Sequence, residues 1–572
     1  MNYANFNLAI YCPAPTLNYY LDKDQELEKD IDFFQKYLNL DKVYLETHRT
    51  DVDVSKDEME NIIKIFRSKG IEIAGGITPT IKADFKNDQS QRFLNVFCYT
   101  NKKMRQRIKE ISEYTASLFD EFILDDFFFT NCSCPSCIDK KGELSWEEFR
   151  LNLMNEVSEK LIINPARKVN PNIKITIKFP NWIESFQETG YNTKDQAELF
   201  DFIYTGTETR DSQYTHQHLP RYASYSLMRW MENLKPGYNG GGWFDWIDCI
   251  HNIGYYLEQA YLTAFSKAKE LMLFSFGGLK NTPFVPALGY ELKKLDKILD
   301  HLGKPTGIAV YEPHHADGED HLYDYIGMLG IPLELYPYFP ETEDTIIITS
   351  NSAKDPNLMG KIKKHLLNNG DIIISSGLVE KKQKEIRELS TAVYTSRKVQ
   401  SGKYAIETSG CAFANYTDQH QEINFPIINY KNNASWPVIT AIKEENSYPI
   451  LLHDYYGSGS IYTLTIPDNF SELYNLPVEV LNKIREVFLK KKGIYFEGQS
   501  KVGLFLYDNN SLIIESFLPH RSEVNLILKG ANCKLYTLDT GKEIDGMKVK
   551  ENKWKFEISI EPSTYLAFRF EK

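Results

Sequence analysis

Residues 121–137 read Glu-Phe-Ile-Leu-Asp-Asp-Phe-Phe-Phe-Thr-Asn-Cys-Ser-Cys-Pro-Ser-Cys. The run Phe122-Ile-Leu124 is strand-like, and two acids follow it directly, Asp125 and Asp126, with Phe127-Phe-Phe129 behind them. An Asp pair in such a setting is costly to bury unless the carboxylates have partners or a task. Outward from this stretch, to about residue 300, short apolar or β-branched runs alternate with longer amphipathic stretches. That alternation signals β-α units and a parallel sheet. Eight strands are expected, at 6–12, 42–49, 71–79, 121–129, 173–182, 200–210, 238–246 and 271–279. Ser55 with Glu58, and Ser145 with Glu148, have the spacing of capping boxes at the start of two intervening helices. Eight β-α units in about 300 residues predict a (β/α)8 TIM barrel. An open doubly wound sheet is the competing fold, but no Gly-rich phosphate loop marks one.

With 572 residues the chain is too long for one core. The sequence divides into a barrel over 1–303, an α/β domain over 304–496 and a small antiparallel β domain, a sandwich, over 497–572. The α/β domain carries a strand-rich insertion at about 395–450. Lys and Arg number 66 against 78 Asp and Glu, a formal net charge of −12, which argues against a nucleic-acid partner. No apolar run is long enough to span a bilayer, so no membrane partner is expected. The first residues, with Asn2, Asn5 and Asn7, lack the stages of a signal peptide. The expectation is a cytoplasmic protein, or a periplasmic one from which a signal has been removed.

In barrel enzymes the active site lies at the C-terminal ends of the strands. Those ends carry Glu46, His48 and Arg49 on the second strand and Asp125 and Asp126 on the fourth. The fifth brings Lys178, Asn181 and Trp182, the sixth Glu208 and Arg210, the seventh Trp243, Asp245 and Trp246. Cleaving a glycosidic bond takes two carboxyl groups, one to protonate the leaving oxygen and one to act as nucleophile or to activate water. Burial raises a carboxyl pKa, as the acid requires. Asp126 or Asp125 is the candidate acid, with Glu208 or Asp245 as its partner. Glu46, His48, Arg49, Lys178, Asn181, Trp182, Arg210 and Trp243 are candidate substrate ligands. A helix cap or a structural cation site would explain the Asp pair without catalysis. Core packing would explain the indoles, and rim salt bridges the arginines.

Cys132, Cys134 and Cys137 fall within six residues, and Cys98 lies in the loop after the third strand. Four thiolates make a closed tetrahedral site of the structural zinc type. An iron–sulfur cluster or free thiols are the other readings. Cys12, Cys249, Cys411 and Cys533 are isolated and expected to be ordinary buried side chains. The run Glu312-Pro-His314-His315-Ala-Asp317-Gly-Glu319-Asp320-His321 follows a strand and is read as a polar loop rather than a metal site.

A Cys after the third strand, then C-x-C-x2-C beyond an acidic dipeptide at the end of the fourth, resembles the zinc-bearing bacterial β-galactosidases of glycoside hydrolase family 42. The last strand, the α/β segment after Gly307 and the final β domain resemble that family in placement. The resemblance implies a barrel followed by a flavodoxin- or amidotransferase-like domain. It also implies zinc at the four cysteines, an oligosaccharide or glycan substrate, and a homo-oligomer, trimer or dimer. That family has Asn-Glu where this chain has Asp125-Asp126, and a Glu nucleophile where the best-placed carboxylate here is Asp245. The chain is thus similar to a divergent relative. Its Phe-x-Leu-Asp-Asp-Phe run also looks like the Asp pair of the family-84 β-N-acetylglucosaminidases, in which no protein nucleophile is used. The expected function is a glycosidase acting on a terminal sugar; a non-catalytic carbohydrate-binding barrel is the alternative.

Overall fold

The computed structural model describes residues 3–82, 95–408, 415–550 and 552–572, which fall into two compact units, Met1–Asp300 and His301–Lys572. Cys411 lies outside the described residues.

The first unit is a closed barrel. Its strands are β1 (Asn7–Cys12), β2 (Lys42–Arg49), β3 (Glu72–Thr78), β4 (Glu121–Leu124), β5 (Lys174–Phe179), β6 (Phe202–Gly206), β7 (Asn239–Asp245) and β8 (Glu270–Phe274). Each pairs in parallel with the next in chain order, and β8 returns to β1. Helices connect them, and both predicted capping boxes form: Ser55 N–H donates to Glu58 at 3.0 Å and Ser145 N–H to Glu148 at 3.0 Å. Several strands end earlier than the sequence suggests, β4 and β8 the most. After β4 the Phe128 N–H turns back to the Asp125 carbonyl at 3.1 Å, so Phe127–Phe129 leaves the sheet. After β8 a short helix, Phe276–Leu279, begins at once.

The barrel interior is packed with side chains rather than open, as its size demands. Ala9, Tyr44, Ala74, Ile123, Tyr204 and Met272 form one buried cluster with Tyr11 and Trp243. Small residues face large rings across the barrel. A Cβ on Gly76 would stand 2.5 Å from the Tyr11 hydroxyl and 2.7 Å from its ring, so the ring keeps its place only because residue 76 has no side chain.

In the second unit, five parallel strands (Leu333–Tyr336, Ile308–Tyr311, Thr345–Ile348, Asp371–Ser375 and Gly459–Leu464) continue edge to edge into four antiparallel ones between Val393 and Tyr456. The expected strand-rich insertion is thus an extension of the same sheet. Residues after Ile494 build a six-stranded and a four-stranded sheet, with Pro305–Thr306 joining the larger one. Phe496, Leu504, Leu526, Phe556 and Phe568 share a core between them. Among the described residues no helix is long and apolar enough to cross a membrane.

Gly76→Ala is expected to cost about 1–3 kcal/mol through overpacking against Tyr11, read as a lower midpoint of denaturant unfolding followed by near-UV circular dichroism.

Candidate active site

The strand ends of the barrel enclose a cavity of about 340 Å³. Its wall contains Arg49, Asp125, Asp126, Lys178, Asn181, Trp182, Glu208, Arg210, Trp243 and Asp245. These are ten of the fourteen lining residues, and the strand-end reading named all ten. The other four are Phe127, Gln217, Ile247 and Phe274. Glu46 and His48 do not line it. Glu46 sits fully buried behind Arg49, and His48 turns aside to Asp53, with Nδ1 2.8 Å from Oδ1. Trp246 packs toward Phe284 instead, with ring centroids 6.2 Å apart.

The centre of the site is the Lys178 ammonium, which is 2% exposed. It lies 2.7 Å from Glu208 Oε1, 2.9 Å from Asp126 Oδ2 and 3.9 Å from Asp125 Oδ1, and 4.2 Å from the centroid of the Trp243 ring. Burial opposes its charge, but the three carboxylates outweigh burial and hold its pKa above the ordinary lysine value. Asp125 is held from the other side. Its Oδ2 accepts from Arg49 at 2.8 Å and from Thr78 Oγ1 at 3.0 Å, and its Oδ1 accepts the Asp126 N–H at 2.8 Å. Arg49 in turn donates through Nε to Glu46 at 2.9 Å, which also accepts from the Tyr11 hydroxyl at 2.8 Å, the Ala14 N–H at 2.6 Å and Thr78. On the far wall Arg210 forms a two-pronged pair with Asp245, at 2.9 and 2.7 Å, and the Ile247 N–H adds a bond to the same carboxylate. Arg210 has φ +54°, a left-handed backbone that a non-glycine residue adopts at a cost, and the fork to Asp245 holds it there.

Five carboxyl groups, Glu46, Asp125, Asp126, Glu208 and Asp245, therefore share three cations, Arg49, Lys178 and Arg210. A buried excess of negative charge is relieved by protonation. The pKa directions show where the protons go. Burial pushes Asp125 up, but Lys178 and Arg49 outweigh it and keep this carboxyl below its ordinary value. Burial pushes Asp126 well above its ordinary value, and although Lys178 opposes this, the charges of Asp125 and Glu208 add to it. Glu208 is also raised, by burial first and by Asp245, against the pull of Lys178. Its Oε2 is buried with no hydrogen-bond partner among the described residues, and it fits only because Gly206, whose Cβ would stand 2.7 Å from that oxygen, has no side chain.

On the adjacent rim the four predicted cysteines converge. Cys98 comes from the loop after β3 and Cys132, Cys134 and Cys137 from the loop after β4, and all four sulfurs lie within 4.8 Å of one another. Sγ separations are 3.8 Å for Cys98–Cys134, 3.7 Å for Cys98–Cys137 and 3.6 Å for Cys134–Cys137. These are far longer than a disulfide and match the edge, about 3.8 Å, of a tetrahedron with metal–sulfur bonds of about 2.3 Å. The donor set can hold a metal ion, and it is the one such group among the described residues. Cys12, Cys249 and Cys533 are buried and apart from it. The Glu312–His321 loop brings no ion-binding group together. Glu319 accepts N–H groups from Ser350 at 2.7 Å and Gly377 at 3.2 Å, and His321 pairs with Asp324 at 2.9 Å.

The family described as "Probable glycosyl hydrolase, catalytic domain" matches residues 1–298, just over half of the chain. The chain belongs to this family. Residues 493–570 match its "C-terminal domain" counterpart, and residues 303–469 match the family described as the second domain of the uncharacterized protein SSO3021. That protein, from Saccharolobus solfataricus, is 25% identical over 516 residues, 82% of this chain and 84% of its own length. Among solved structures, a catalytic mutant of Gan42B, a GH42 β-galactosidase from G. stearothermophilus, superposes with a TM-score of 0.66 at 12% identity, covering 99% of both chains. The α-L-fucosidase isoenzyme 2 from Paenibacillus thiaminolyticus superposes at 0.68 with 9% identity, covering both chains fully. At these identities the likeness is one of fold. It bears out the family-42-like architecture read from the cysteines and the domain order.

The raised Asp126 pKa has a consequence for stability. A carboxyl whose folded pKa exceeds its unfolded value stabilises the fold below the unfolded pKa and loses that contribution as pH rises through the folded one. Asp126→Asn is therefore expected to melt higher than the parent at pH 7.5, with the difference shrinking toward pH 4, in thermal unfolding scans at both pH values.

Proposed function

We propose that the protein is a retaining glycosidase that removes a terminal sugar, with Asp126 as general acid and base and Glu208 as nucleophile. The observation that carries the assignment is the shared Lys178 ammonium. Contacts of 2.9 and 2.7 Å keep Asp126 Oδ2 and Glu208 Oε1 within about 6 Å of each other, short of the roughly 6.5–9.5 Å that admits a water and compatible with covalent catalysis. Burial raises both Asp126 and Glu208, so one proton is readily kept between them; the proposed roles place it on Asp126 and leave Glu208, 2.7 Å from the Lys178 ammonium, as the anion. Glu208 would attack the anomeric carbon while Asp126 gives its proton to the departing oxygen. Water, deprotonated by Asp126, would then release the sugar from Glu208.

Asp125 stays ionised between Arg49 and Lys178 and positions the Asp126 backbone. Asp245, with both oxygens in the Arg210 fork, anchors a cation at the cavity wall. Asn181 and Gln217 exchange two hydrogen bonds, at 2.9 and 3.0 Å, and offer amide groups to sugar hydroxyls beside the Trp182 and Trp243 rings. The cavity volume is at the low end for ligand sites, in keeping with one sugar ring and an exo-acting enzyme. Asp245 at the end of β7 is the competing nucleophile, because it stands where the family-42 resemblance puts one.

The test is cleavage of α- and β-linked aryl glycosides. Asp126→Asn and Glu208→Gln are each expected to lower kcat by about 10²–10⁴, with kcat/KM falling below the Glu208 pKa and above that of Asp126. Azide should restore turnover to Glu208→Ala and give a glycosyl azide. Rescue of Asp245→Ala in its place would move the nucleophile to β7, and a panel left uncut would favour a sugar-binding barrel.

The four cysteines, we infer, hold one structural zinc, which supplies cross-linking rather than chemistry because four thiolates close its coordination. Elemental analysis is expected to find one zinc per chain. Cys98→Ser should lose the metal and melt at lower temperature, and a full complement of zinc in that variant would remove Cys98 from the ligand set.

A further inference from the structure

We propose that the mouth of this cavity is built to receive an apolar leaving group, an aryl or alkyl aglycone, in preference to a second sugar. The inference rests on the glycosidase reading above and concerns the part of the site that reading leaves unassigned.

The cavity changes character from its floor to its rim. Its floor holds the carboxylates and cations, whereas the loop after β7, which reaches the wall at Ile247, also exposes isoleucine to solvent. The loop after β7 contributes Ile247, which lines the cavity and is 37% exposed, and Ile250, 73% exposed. The helix Ile253–Phe265 then opens with Ile253, also exposed. The loop after β6 contributes Tyr214, 60% exposed, whose ring stands 4.9 Å from that of His251. The same loop sends Gln217 into the cavity wall, so both loops run from the wall to the surface.

Turn positions ordinarily take Gly, Asn, Asp or Ser, and local structure has no use for isoleucine there. Nor are these isoleucines on a loose segment. The stretch is pinned by the buried Cys249, whose N–H donates to the Trp246 carbonyl at 3.0 Å. Gln259 reaches from the following helix to the Asp245 carbonyl at 3.0 Å and to Cys249 Sγ at 3.6 Å. The loop is thereby fixed to the strand end that carries Asp245, and its apolar side chains are presented to solvent from a rigid support.

Isoleucine offers a sugar neither hydrogen-bond partners nor a ring face, but it matches a hydrocarbon chain or an aryl ring, whose transfer from water is favourable in proportion to area. Large apolar side chains exposed next to a ligand cavity are candidates for a binding surface. Continuity with the cavity at Ile247 assigns the occupant as the part of the substrate that projects outward when its sugar lies against Asp126 and Glu208.

The experiment uses the full chain. A panel of aryl glycosides first identifies the accepted sugar, and n-alkyl glycosides of that sugar, methyl to octyl, are then compared with a disaccharide carrying it at the non-reducing end. kcat/KM is expected to rise roughly threefold per methylene over the first few carbons, and the disaccharide is expected to rank with the methyl glycoside. In Ile250→Ser and in Tyr214→Ser, both at exposed positions, the octyl-to-methyl ratio should fall about tenfold. A flat alkyl series with efficient disaccharide cleavage would overturn the apolar aglycone and leave the glycosidase reading intact. So would an unchanged ratio in Ile250→Ser accompanied by a shift from oligomer to monomer, since the patch would then be a contact between copies of the chain. A panel wholly uncut would overturn both readings.

Discussion

A buried lysine with too many acids around it governs this molecule. Lys178 cannot satisfy Asp125, Asp126 and Glu208 at once as full anions, and Arg49 and Arg210 are already committed to Glu46, Asp125 and Asp245. Burying an excess of negative charge is expensive, and the expense is relieved when a carboxyl keeps its proton. The result is an adjacent pair of carboxyl groups pushed in opposite directions, Asp125 below its ordinary value and Asp126 above it. Removing Lys178 would not simply delete a salt bridge; it would leave Asp126 and Glu208 facing each other with no cation between them.

The barrel makes that concentration of charge possible. Eight parallel strands converge their C-terminal ends, so residues more than 200 apart in sequence, Tyr11 and Trp243 for instance, meet with ring centroids 4.6 Å apart. Closure leaves no room for bulk at particular points. Gly76 yields to Tyr11, which then reaches Glu46, and Gly206 yields to Glu208. Ala9, Ala74, Ile123 and Met272 belong to one buried apolar cluster with Tyr11 and Trp243. Glu46 shows the hierarchy well: fully buried, it never meets the cavity, yet it fixes Arg49, and Arg49 fixes Asp125.

Much of this was legible in the sequence because strand ends are local features. Alternation located all eight strands, and the rule that barrel sites occupy their C-terminal ends picked out Asp125, Asp126, Lys178, Glu208, Arg210 and Asp245. The cysteine spacing announced a four-thiol group because three of its members are close together in sequence. What stayed hidden depends on direction and on distance through space. His48 and Arg49 are consecutive in β2, and period-two geometry sends them to opposite sides, one to Asp53 and the other to Asp125. Gln217 and Ile247 lie in loops, where no periodicity marks an inward side chain. Thr78 and Tyr11 act only through hydrogen bonds to acids on other strands. Glu208 and Asp245 look equivalent as strand-end carboxylates, and only the partners, an ammonium shared with Asp126 for one and a guanidinium fork for the other, tell them apart.

The thiol group and the acid are parts of one mechanical unit. Asp126 sits on the segment that leaves β4, and Cys132 is six residues further along it. Between them the chain is held by Tyr191, whose hydroxyl donates to the Asp126 carbonyl at 2.6 Å, and by the Thr130 N–H, which donates to the Thr189 carbonyl at 2.9 Å. Beyond Cys132 the four sulfurs bring this segment against Cys98 in the loop after β3. Loops at a barrel rim are ordinarily its most mobile parts, whereas an acid that must meet a glycosidic oxygen tolerates little displacement. A metal held by the four sulfurs, as proposed, would tie these two loops together. Under the proposed mechanism, the segment that leaves β4 thus carries both the acid and, six residues on, the first of the three clustered thiols.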